Sequence, residues 1–391
     1  MIIDNAGTYT LRYTATDDCG KTTEVERELV VQSKVFGIVQ RYASGDSMEY
    51  CNRTDDSVDL FDDNNPDIIV QHSDGQGGWS DSWSPFDNIM PWSGMEEVED
   101  PTLGTLVKIP KYYYKWGIDN ERLSLKISPS QQEGFHVSPA HADRGDGVGE
   151  RDVVYVGKYH CADDYTSKPN VLPTHGMSRS AARTAIHSLR SDVWQWDFAM
   201  YWTIAMLYLV EFANWDTQLK IGGGCSNTGA IENTGLTDAM TYHTGTTANR
   251  VSLSVYGHTQ YRHIEDLWGN VMDWADGIYF NNTDIYCIKN PSDFSDNANG
   301  TNVGTRTINS GTRSYTSHLT DPSAITGFEY ALYGNATAYA GSSLTKDQYN
   351  NSSAGKDLAV GGNATQIQTN GLFRFDSYDN IDCGTRIMVL P

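Results

Sequence analysis

The sequence predicts an α+β fold with short strands, two helices and long loops. Three observations support it: strand-like apolar runs occur up to residue 157, two later segments have helical periodicity, and the chain after Lys220 is rich in Gly, Asn and Thr. With 391 residues the chain can form one large domain and a smaller piece. We therefore divide it into residues 1–34 and 35–391.

The first segment predicts a β-hairpin. Residues 6–17 alternate in polarity, residues 18–21 have turn composition, and Thr22–Val31 predicts the second strand. Two strands cannot bury a core alone. The stretch GTYTLRYTATDDCGKTT resembles the closing hairpin of bacterial immunoglobulin-like repeats in surface and phage proteins. That resemblance implies that residues 1–34 are the C-terminal part of such a β domain.

Further strands are predicted in the large domain. Residues 106–116 form a strand-like run, residues 117–120 a turn, and residues 123–127 the partner strand. Residues 153–157 give another strand.

Two segments predict helices. Ser178 is a suitable N-cap for the first, and its apolar residues recur at helical spacing: Ala182, Ala185, Ile186 and Leu189. The second helix should run from near Asp197 to about Asn214. Because apolar residues lie on all of its faces, we expect it to be buried nearly all round.

The charge of the chain narrows the classes of partner. Its formal net charge is −22, with 28 Lys and Arg against 50 Asp and Glu. Such a surface repels phosphate backbones and anionic lipid, so we expect no nucleic-acid partner. No apolar run approaches the length of about 18 residues that spans a membrane, so membrane insertion is not expected either.

Cysteine and histidine spacings give no metal motif. The six cysteines include no CxxC pair, which argues against a zinc ribbon. Buried thiols explain them, although one disulfide could join two of Cys161, Cys225, Cys287 and Cys383. The histidines show no HExxH spacing, so zinc is not predicted. The acidic residues 62–67 could hold structural calcium, but a solvated turn is the preferred interpretation. No other cofactor is expected.

The segment IEDLWGNVMDWADG, residues 264–277, has an internally consistent physical logic. Gly269 allows a tight turn, Asn270 can satisfy neighbouring backbone groups, and Trp268, Val271 and Trp274 can anchor the turn in a core. The segment resembles the DMxGNVWEW motif of the formylglycine-generating-enzyme (sulfatase-modifying factor) family.

Two later segments extend this resemblance. Residues 384–389, GTRIMV, are similar to the GFRVV closing strand of that family, and residues 361–363, GGN, to its RGGSW segment. The resemblance implies a C-type-lectin-like domain over residues 35–391. The family's enzymes use a cysteine pair near the C-terminus, whereas this chain has only Cys383 there, with Cys287 the next. We therefore expect no enzyme activity of that type.

The chain resembles a second branch of proteins with the same fold more closely. The frame GG, then GLFRF at residues 371–375, then GTR at 384–386 resembles the variable proteins of diversity-generating retroelements, such as the major tropism determinant of phages. Residues 108–116, 134–141 and 197–213 also resemble segments of phage tail proteins. The resemblance implies a variable region, residues 360–386, that contacts a ligand on a bacterial cell.

Residues 360–386 combine an apolar frame with many different hydrogen-bonding groups. If Phe373 and Phe375 point inward, strand alternation directs Arg374 outward. Rigid aromatic and small polar residues together resemble a paratope. The expected ligand-binding residues are Asn363, Thr365, Gln366, Gln368, Thr369, Asn370, Arg374, Asp376, Ser377, Tyr378, Asp379, Asn380 and Asp382.

These observations predict a non-enzymatic receptor-binding protein, located on a phage tail or a bacterial surface. Its partner would be a host cell-surface protein or glycan, and the phage resemblance implies a homotrimer. One alternative is an oxidoreductase resembling the formylglycine-generating enzymes and acting on a peptide cysteine. Another is a structural tail component. The sequence Arg144-Gly145-Asp146 spells an integrin motif but is attributed to chance.

Overall fold

The structure is a computed structural model. It describes residues 7–31, 34–40, 50–119, 122–226, 229–252, 254–306, 314–318, 326–329, 335–337, 347–351, 356–365, 370–378 and 383–391. Within these ranges the chain forms five β-sheets and three α-helices, which confirms the α+β class.

The strands are short, as the sequence predicts. In the first half of the chain they are β1 (Gly7–Thr16), β2 (Thr22–Val31), β3 (Phe36–Gln40), β4 (Cys51–Asp55), β5 (Gln71–His72), β6 (Glu96–Asp100), β7 (Gly104–Pro110), β8 (Tyr113–Asp119), β9 (Arg122–Ser128), β10 (His136–Val137), β11 (Val153–Gly157) and β12 (Val193–Gln195). The later strands are β13 (Gly245–Thr246), β14 (Thr259–Tyr261), β15 (Ile264–Glu265), β16 (Asp273–Asn281), β17 (Asp284–Cys287), β18 (Thr301–Thr305), β19 (Ser314–His318), β20 (Asn335–Thr337), β21 (Gln348–Asn351), β22 (Asp357–Val360), β23 (Phe375–Tyr378) and β24 (Ile387–Val389).

The predicted hairpin is present as a separate two-stranded sheet. β1 and β2 pair antiparallel over their full length, and the Asp17 carboxylate accepts from the backbone N–H groups of Cys19 and Lys21 at the turn. From residue 10 to 28 every side chain except the half-buried Leu11 is exposed. The hairpin therefore has almost no core of its own. Its membership of an immunoglobulin-like domain stays a prediction.

The predicted strand 106–116 is divided between two sheets. β7 lies in a five-stranded sheet in the order β12-β24-β11-β7-β6, and β8 in another in the order β10-β8-β9-β3-β4. The break follows Pro110, which has no N–H to continue the ladder, and Tyr112 then turns inward to donate to the Thr203 carbonyl at 2.6 Å. β9 pairs with β8 as predicted, and β8 extends through residues 117–119, where a turn was expected; residue 120 lies outside the described ranges.

Both predicted helices are confirmed. Helix α1 (Arg179–His187) has Ser178 as its N-cap, and helix α2 (Phe198–Phe212) has Asp197, whose side chain accepts from the Met200 N–H at 2.8 Å. All fifteen residues of α2 are buried, and the helix packs against β3, β9 and β16. A third helix of one turn, α3 (Thr217–Lys220), was not predicted.

The remaining two sheets contain β5 and the strands between residues 245 and 378. One has the order β15-β14-β13-β5, and the other β18-β17-β16-β22-β23-β21-β19-β20. The last strand, β24, is inserted between β11 and β12, so it lies in the interior of its sheet. In the described part of the chain no helix has the length and apolar character required to cross a membrane.

Candidate functional site

The apolar frame of residues 360–386 and its flanking strand is buried, as the sequence predicts. Its members are Val360, Leu372, Phe373, Phe375, Ile387 and Val389, each at most 3% exposed. Phe375 packs edge-on against Tyr201 of α2, with ring centroids 5.4 Å apart, and Phe373 packs against Trp215 at 4.7 Å. The core helix therefore supports this segment directly.

The predicted ligand-binding residues fall into three groups. Thr365 is exposed and Asn363 is half-buried. Asn370, Arg374, Asp376 and Ser377 are at most 5% exposed, and Tyr378 ends β23. The third group, Gln366, Gln368, Thr369, Asp379, Asn380 and Asp382, lies outside the described residues. A ligand-binding role for all thirteen stays a prediction.

The expectation that Arg374 points outward is wrong. Its guanidinium is buried and donates through Nη2 to Asp376 Oδ2 at 2.9 Å. β23 begins only at Phe375, and Arg374 belongs to the preceding turn, in which its N–H donates to the Gly371 carbonyl. Alternation cannot be extended to a residue that precedes the strand. Burial does not alternate within the strand either, because Phe375, Asp376 and Ser377 are all buried, so both of its faces are covered.

Asn370 closes a short loop. Its Nδ2 donates to the Asn363 carbonyl at 2.7 Å and to Ser226 Oγ at 2.9 Å. The Asn363 side chain in turn accepts from the N–H and hydroxyl of Thr365. The two ends of residues 363–370 are therefore tied together and held against residue 226.

The turn at residues 266–271 connects this loop to the rest of the fold. Gly269 has a φ of +84°, and a Cβ there would lie 2.7 Å from the Cys225 nitrogen, so a side chain is excluded. Trp268, Val271 and Trp274 are at most 3% exposed. The expected anchoring role of these three residues is confirmed.

Asn270 is the centre of this turn. Its N–H donates to the Cys225 carbonyl at 2.7 Å, and its side chain bonds both backbone groups of Glu232: Oδ1 accepts at 2.9 Å and Nδ2 donates at 3.1 Å. Its carbonyl accepts from the Ala364 N–H at 3.0 Å. The prediction that Asn270 satisfies neighbouring backbone groups is confirmed, and the partners lie in three separate segments.

A cavity of about 290 Å³ opens at the junction of these segments. Its lining includes His175, Ala230, Asn270, Val271, Asn363 and Thr365. The cavity thus joins the beginning of the predicted variable region to the turn at residues 266–271, which we call the motif turn. Amide, hydroxyl and imidazole groups share the lining with small apolar side chains, a composition that suits a polar ligand.

Larger cavities lie elsewhere in the described part of the chain. One of about 700 Å³ is lined partly by Arg144 and Gly145, and one of about 380 Å³ by residues that include Lys158 and Asp238; neither contains a residue of 360–386. The Arg144 guanidinium is buried and paired with Asp197. That pairing makes Arg144 unsuited to an exposed integrin-type motif. We give the smaller cavity greater weight because, of these three cavities, it is the one lined by residues of 360–386.

The acidic residues 62–67 form a turn. The Asp62 carboxylate accepts from the N–H groups of Asn64 and Asn65 at 2.9 and 2.8 Å. Asp67 instead pairs with Lys220. These contacts match the turn interpretation, while calcium binding stays a prediction.

A second group of chemically active side chains was missed by the sequence analysis. Cys225, Glu232 and His258 each place a possible metal-ligand atom within 4.8 Å of the other two. Their spacings of 7 and 26 residues match no recognised ligand pattern. The one sequence signal that could have indicated this group is the motif turn, because Asn270 and Asp266 in that turn contact the three segments that carry it.

His258 lies between carboxylates. Its Nδ1 is 2.6 Å from Asp266 Oδ2 and its Nε2 is 3.1 Å from Glu232 Oε2. Burial opposes the charged imidazolium, but the charge and hydrogen bond of Asp266 outweigh it and raise the pKa of His258 to about 12. Burial raises the pKa of the Cys225 thiol, against a hydrogen bond with His258 that lowers it.

The six cysteines, all within the described ranges, carry thiols and form no disulfide. Cys161, Cys225, Cys287 and Cys383 are buried, as expected, whereas Cys51 is half-buried and the expectation is wrong for Cys19, which is exposed. Cys383 packs in a small cluster with Met272, Trp274 and Ala359.

Comparison of the chain with known protein families and with curated proteins found no match. The fold belongs to the α+β class. Its candidate sites are the cavity of about 290 Å³ and the group formed by Cys225, Glu232 and His258. The lectin-like fold and the receptor-binding role stay predictions based on the motifs.

Proposed function

We propose that the chain is a non-enzymatic receptor-binding protein, with a C-type-lectin-like domain whose C-terminal region contacts a host cell-surface molecule. The observation that carries the proposal is the cavity of about 290 Å³ between the motif turn and residues 363–365. A concave site with a few polar groups on a rigid frame is the usual form of a ligand site. The expected location is a phage tail or a bacterial surface.

The frame around the cavity favours recognition. Phe373 and Phe375 are fixed against the core, and Asn370 ties the ends of the loop that carries Thr365. A loop with fixed ends can present different side chains without rearranging its supports. The net charge of −22 remains unfavourable for nucleic acid.

The alternatives are a thiol-dependent oxidoreductase and a structural tail component. The enzyme would need a reactive cysteine near the C-terminus, and Cys383 is 1% exposed within an apolar cluster. Burial in such surroundings disfavours a thiolate. The structural component would have no cell-surface ligand, so a binding assay separates it from the proposal.

The test is the binding of fluorescently labelled full-length protein to a panel of intact bacteria. Thr365→Arg introduces a bulky charge at the cavity, and we expect it to abolish binding to any strain that the wild type labels. Thr102→Arg is the matched control, because Thr102 is exposed in the turn between β6 and β7. Equal binding by both variants would contradict the proposed site, and the absence of wild-type binding to every strain would favour the structural component.

The chemical class of the ligand follows from treating the cells. Protease treatment should remove binding if the ligand is a protein, whereas periodate oxidation should remove it if the ligand is a glycan. A triple variant with Gln366, Gln368 and Thr369 replaced by alanine tests the neighbouring predicted residues. Retained binding by that variant would limit the site to the cavity.

Multivalency would strengthen weak single contacts. A homotrimer is proposed only from the resemblance to phage proteins. Light scattering at micromolar concentration tests it, and a monomer would remove this part of the proposal.

A further inference from the structure

Three side chains with metal-binding chemistry converge beside the proposed ligand site. Cys225 follows a glycine-rich segment, Glu232 lies in the next loop, and His258 precedes β14. All three ligand atoms lie within 4.8 Å of one another. Among the described residues, this is the group of three His, Cys, Asp or Glu side chains whose ligand atoms are close enough together to share one metal ion.

We propose that Cys225 Sγ, Glu232 Oε2 and His258 Nε2 bind a divalent transition-metal ion of the Zn²⁺ class. Thiolate and imidazole ligands select such ions over Ca²⁺ and Mg²⁺, which prefer oxygen. Three protein ligands leave a fourth tetrahedral position for water. The site is independent of the proposed receptor binding.

The distances suit a tetrahedral ion. Two atoms each about 2.0–2.1 Å from a tetrahedral metal lie about 3.3 Å apart. Glu232 Oε2 and His258 Nε2 are 3.1 Å apart and share the Nε2 proton. An ion that displaces this proton can be reached by both atoms with little movement. The Cys225 sulfur lies within 4.8 Å of both atoms, and an approach of at most about 1.3 Å brings it to the separation of about 3.5 Å expected for a thiolate ligand of the same ion.

The ring of His258 is already oriented for this role. Its second nitrogen, Nδ1, contacts Asp266 Oδ2 at 2.6 Å. A carboxylate in this position fixes the tautomer and the ring plane of a metal-binding histidine. Asp266 is itself fixed, because its Oδ1 accepts from the Thr259 N–H at 3.1 Å and its carbonyl accepts from Arg386 at 2.6 Å.

The backbones of the other two ligands are held by one residue. Asn270 donates to the Cys225 carbonyl and bonds both the N–H and the carbonyl of Glu232. Together with Asp266, the motif turn therefore positions all three ligands. Such preorganisation lowers the entropic cost of binding an ion.

The site also has a route for an ion. Cys225 and His258 are buried, but the Glu232 side chain is 42% exposed. Glu232 follows residues 229–231, which line the cavity of about 290 Å³. An ion bound here would link the three segments beside that cavity.

The first experiment titrates chelator-treated full-length protein with Zn²⁺ in competition with a chromophoric chelator. We expect one tightly bound equivalent per chain, and Co²⁺ in its place should give intense visible bands and a thiolate-to-metal charge-transfer band. A protein that takes up neither ion would overturn the proposal. Co²⁺ binding without the charge-transfer band would also overturn it, because the cysteine would not be a ligand.

Variants then assign the ligands. Cys225→Ser should remove the charge-transfer band and most of the Zn²⁺ affinity, whereas Cys287→Ser, a change to another buried thiol, should leave both intact. Asp266→Asn should weaken Zn²⁺ binding about 10–100-fold while retaining the band. If Cys225→Ser fails to fold, the wild-type Co²⁺ spectrum and the Asp266→Asn titration still decide the matter. Unchanged Zn²⁺ affinity in a folded Cys225→Ser or in Asp266→Asn would refute the assigned site.

Discussion

Replacing Asn270 should destabilise the large domain through two separable effects. The residue is fully buried, its side chain bonds both backbone groups of Glu232, and its φ is +55°. Asn270→Gly removes the hydrogen bonds but tolerates the left-handed backbone. Asn270→Ala removes the same bonds and also places a Cβ in a conformation that Ala disfavours.

The magnitude follows from these contacts. A typical hydrogen bond contributes about 0.5–1.5 kcal/mol, so the loss of two should cost about 1–3 kcal/mol in Asn270→Gly. The left-handed conformation adds about 1–2 kcal/mol for Ala. We therefore expect Asn270→Ala to be less stable than Asn270→Gly by about that amount. Both variants should also bind Zn²⁺ more weakly, because Glu232 loses its anchor.

Urea unfolding followed by tryptophan fluorescence measures these changes. All ten tryptophans lie between residues 79 and 274, so the signal reports on the large domain and not on the hairpin. Asn282 is the control, since it is exposed and has a φ of +54°. Asn282→Ala and Asn282→Gly should differ by the backbone cost alone. An Asn270→Gly variant within about 0.5 kcal/mol of the wild type would refute the reasoning.

Two further changes test the buried polar groups. Burial lowers the pKa of His141 from 6.5 to about 4, so between these pH values the unfolded state binds a proton that the folded state does not. The free energy of unfolding therefore decreases as the pH is lowered, by about 3 kcal/mol at pH 4. Urea unfolding from pH 7 to pH 4 should show a shallower loss in His141→Gln, and parallel profiles would contradict this. Glu211→Met should cost about 3–5 kcal/mol, because the buried Arg262 loses its 2.5 Å partner. In a double-mutant cycle with Arg262→Met, the double variant should lose less than the sum of the single variants, and additivity would refute the coupling.

Local sequence signals predicted the two main helices, the N-terminal hairpin and the strands between residues 104 and 157 that have long apolar runs. The predicted cap Ser178 and the predicted start near Asp197 mark the beginnings of both main helices, and the apolar residues on all faces of α2 predicted its burial. These features depend on neighbouring residues, whose periodicity is visible in one sequence. The motif turn was equally accessible, because Gly269 and Asn270 have conformational roles that composition reveals.

Non-local contacts explain what was missed. Arg374 was expected outside, but Asp376 and the covered strand β23 hold it inside. The Cys225–His258 group depends on loops that meet only when Asn270 and Asp266 hold them. Neither relation leaves a periodic or fixed-spacing signal in the sequence.

The burial pattern separates two roles within the predicted variable region. Asn370 and Arg374 are polar but buried, and their hydrogen bonds close the loop and support β23. Changing either would leave a buried group without its partner, which costs about 1–3 kcal/mol. Thr365 is exposed, and substitution at such a position usually changes stability by less than about 0.5 kcal/mol. We infer that variation compatible with folding is concentrated at exposed positions such as Thr365, while Asn370 and Arg374 belong to the frame.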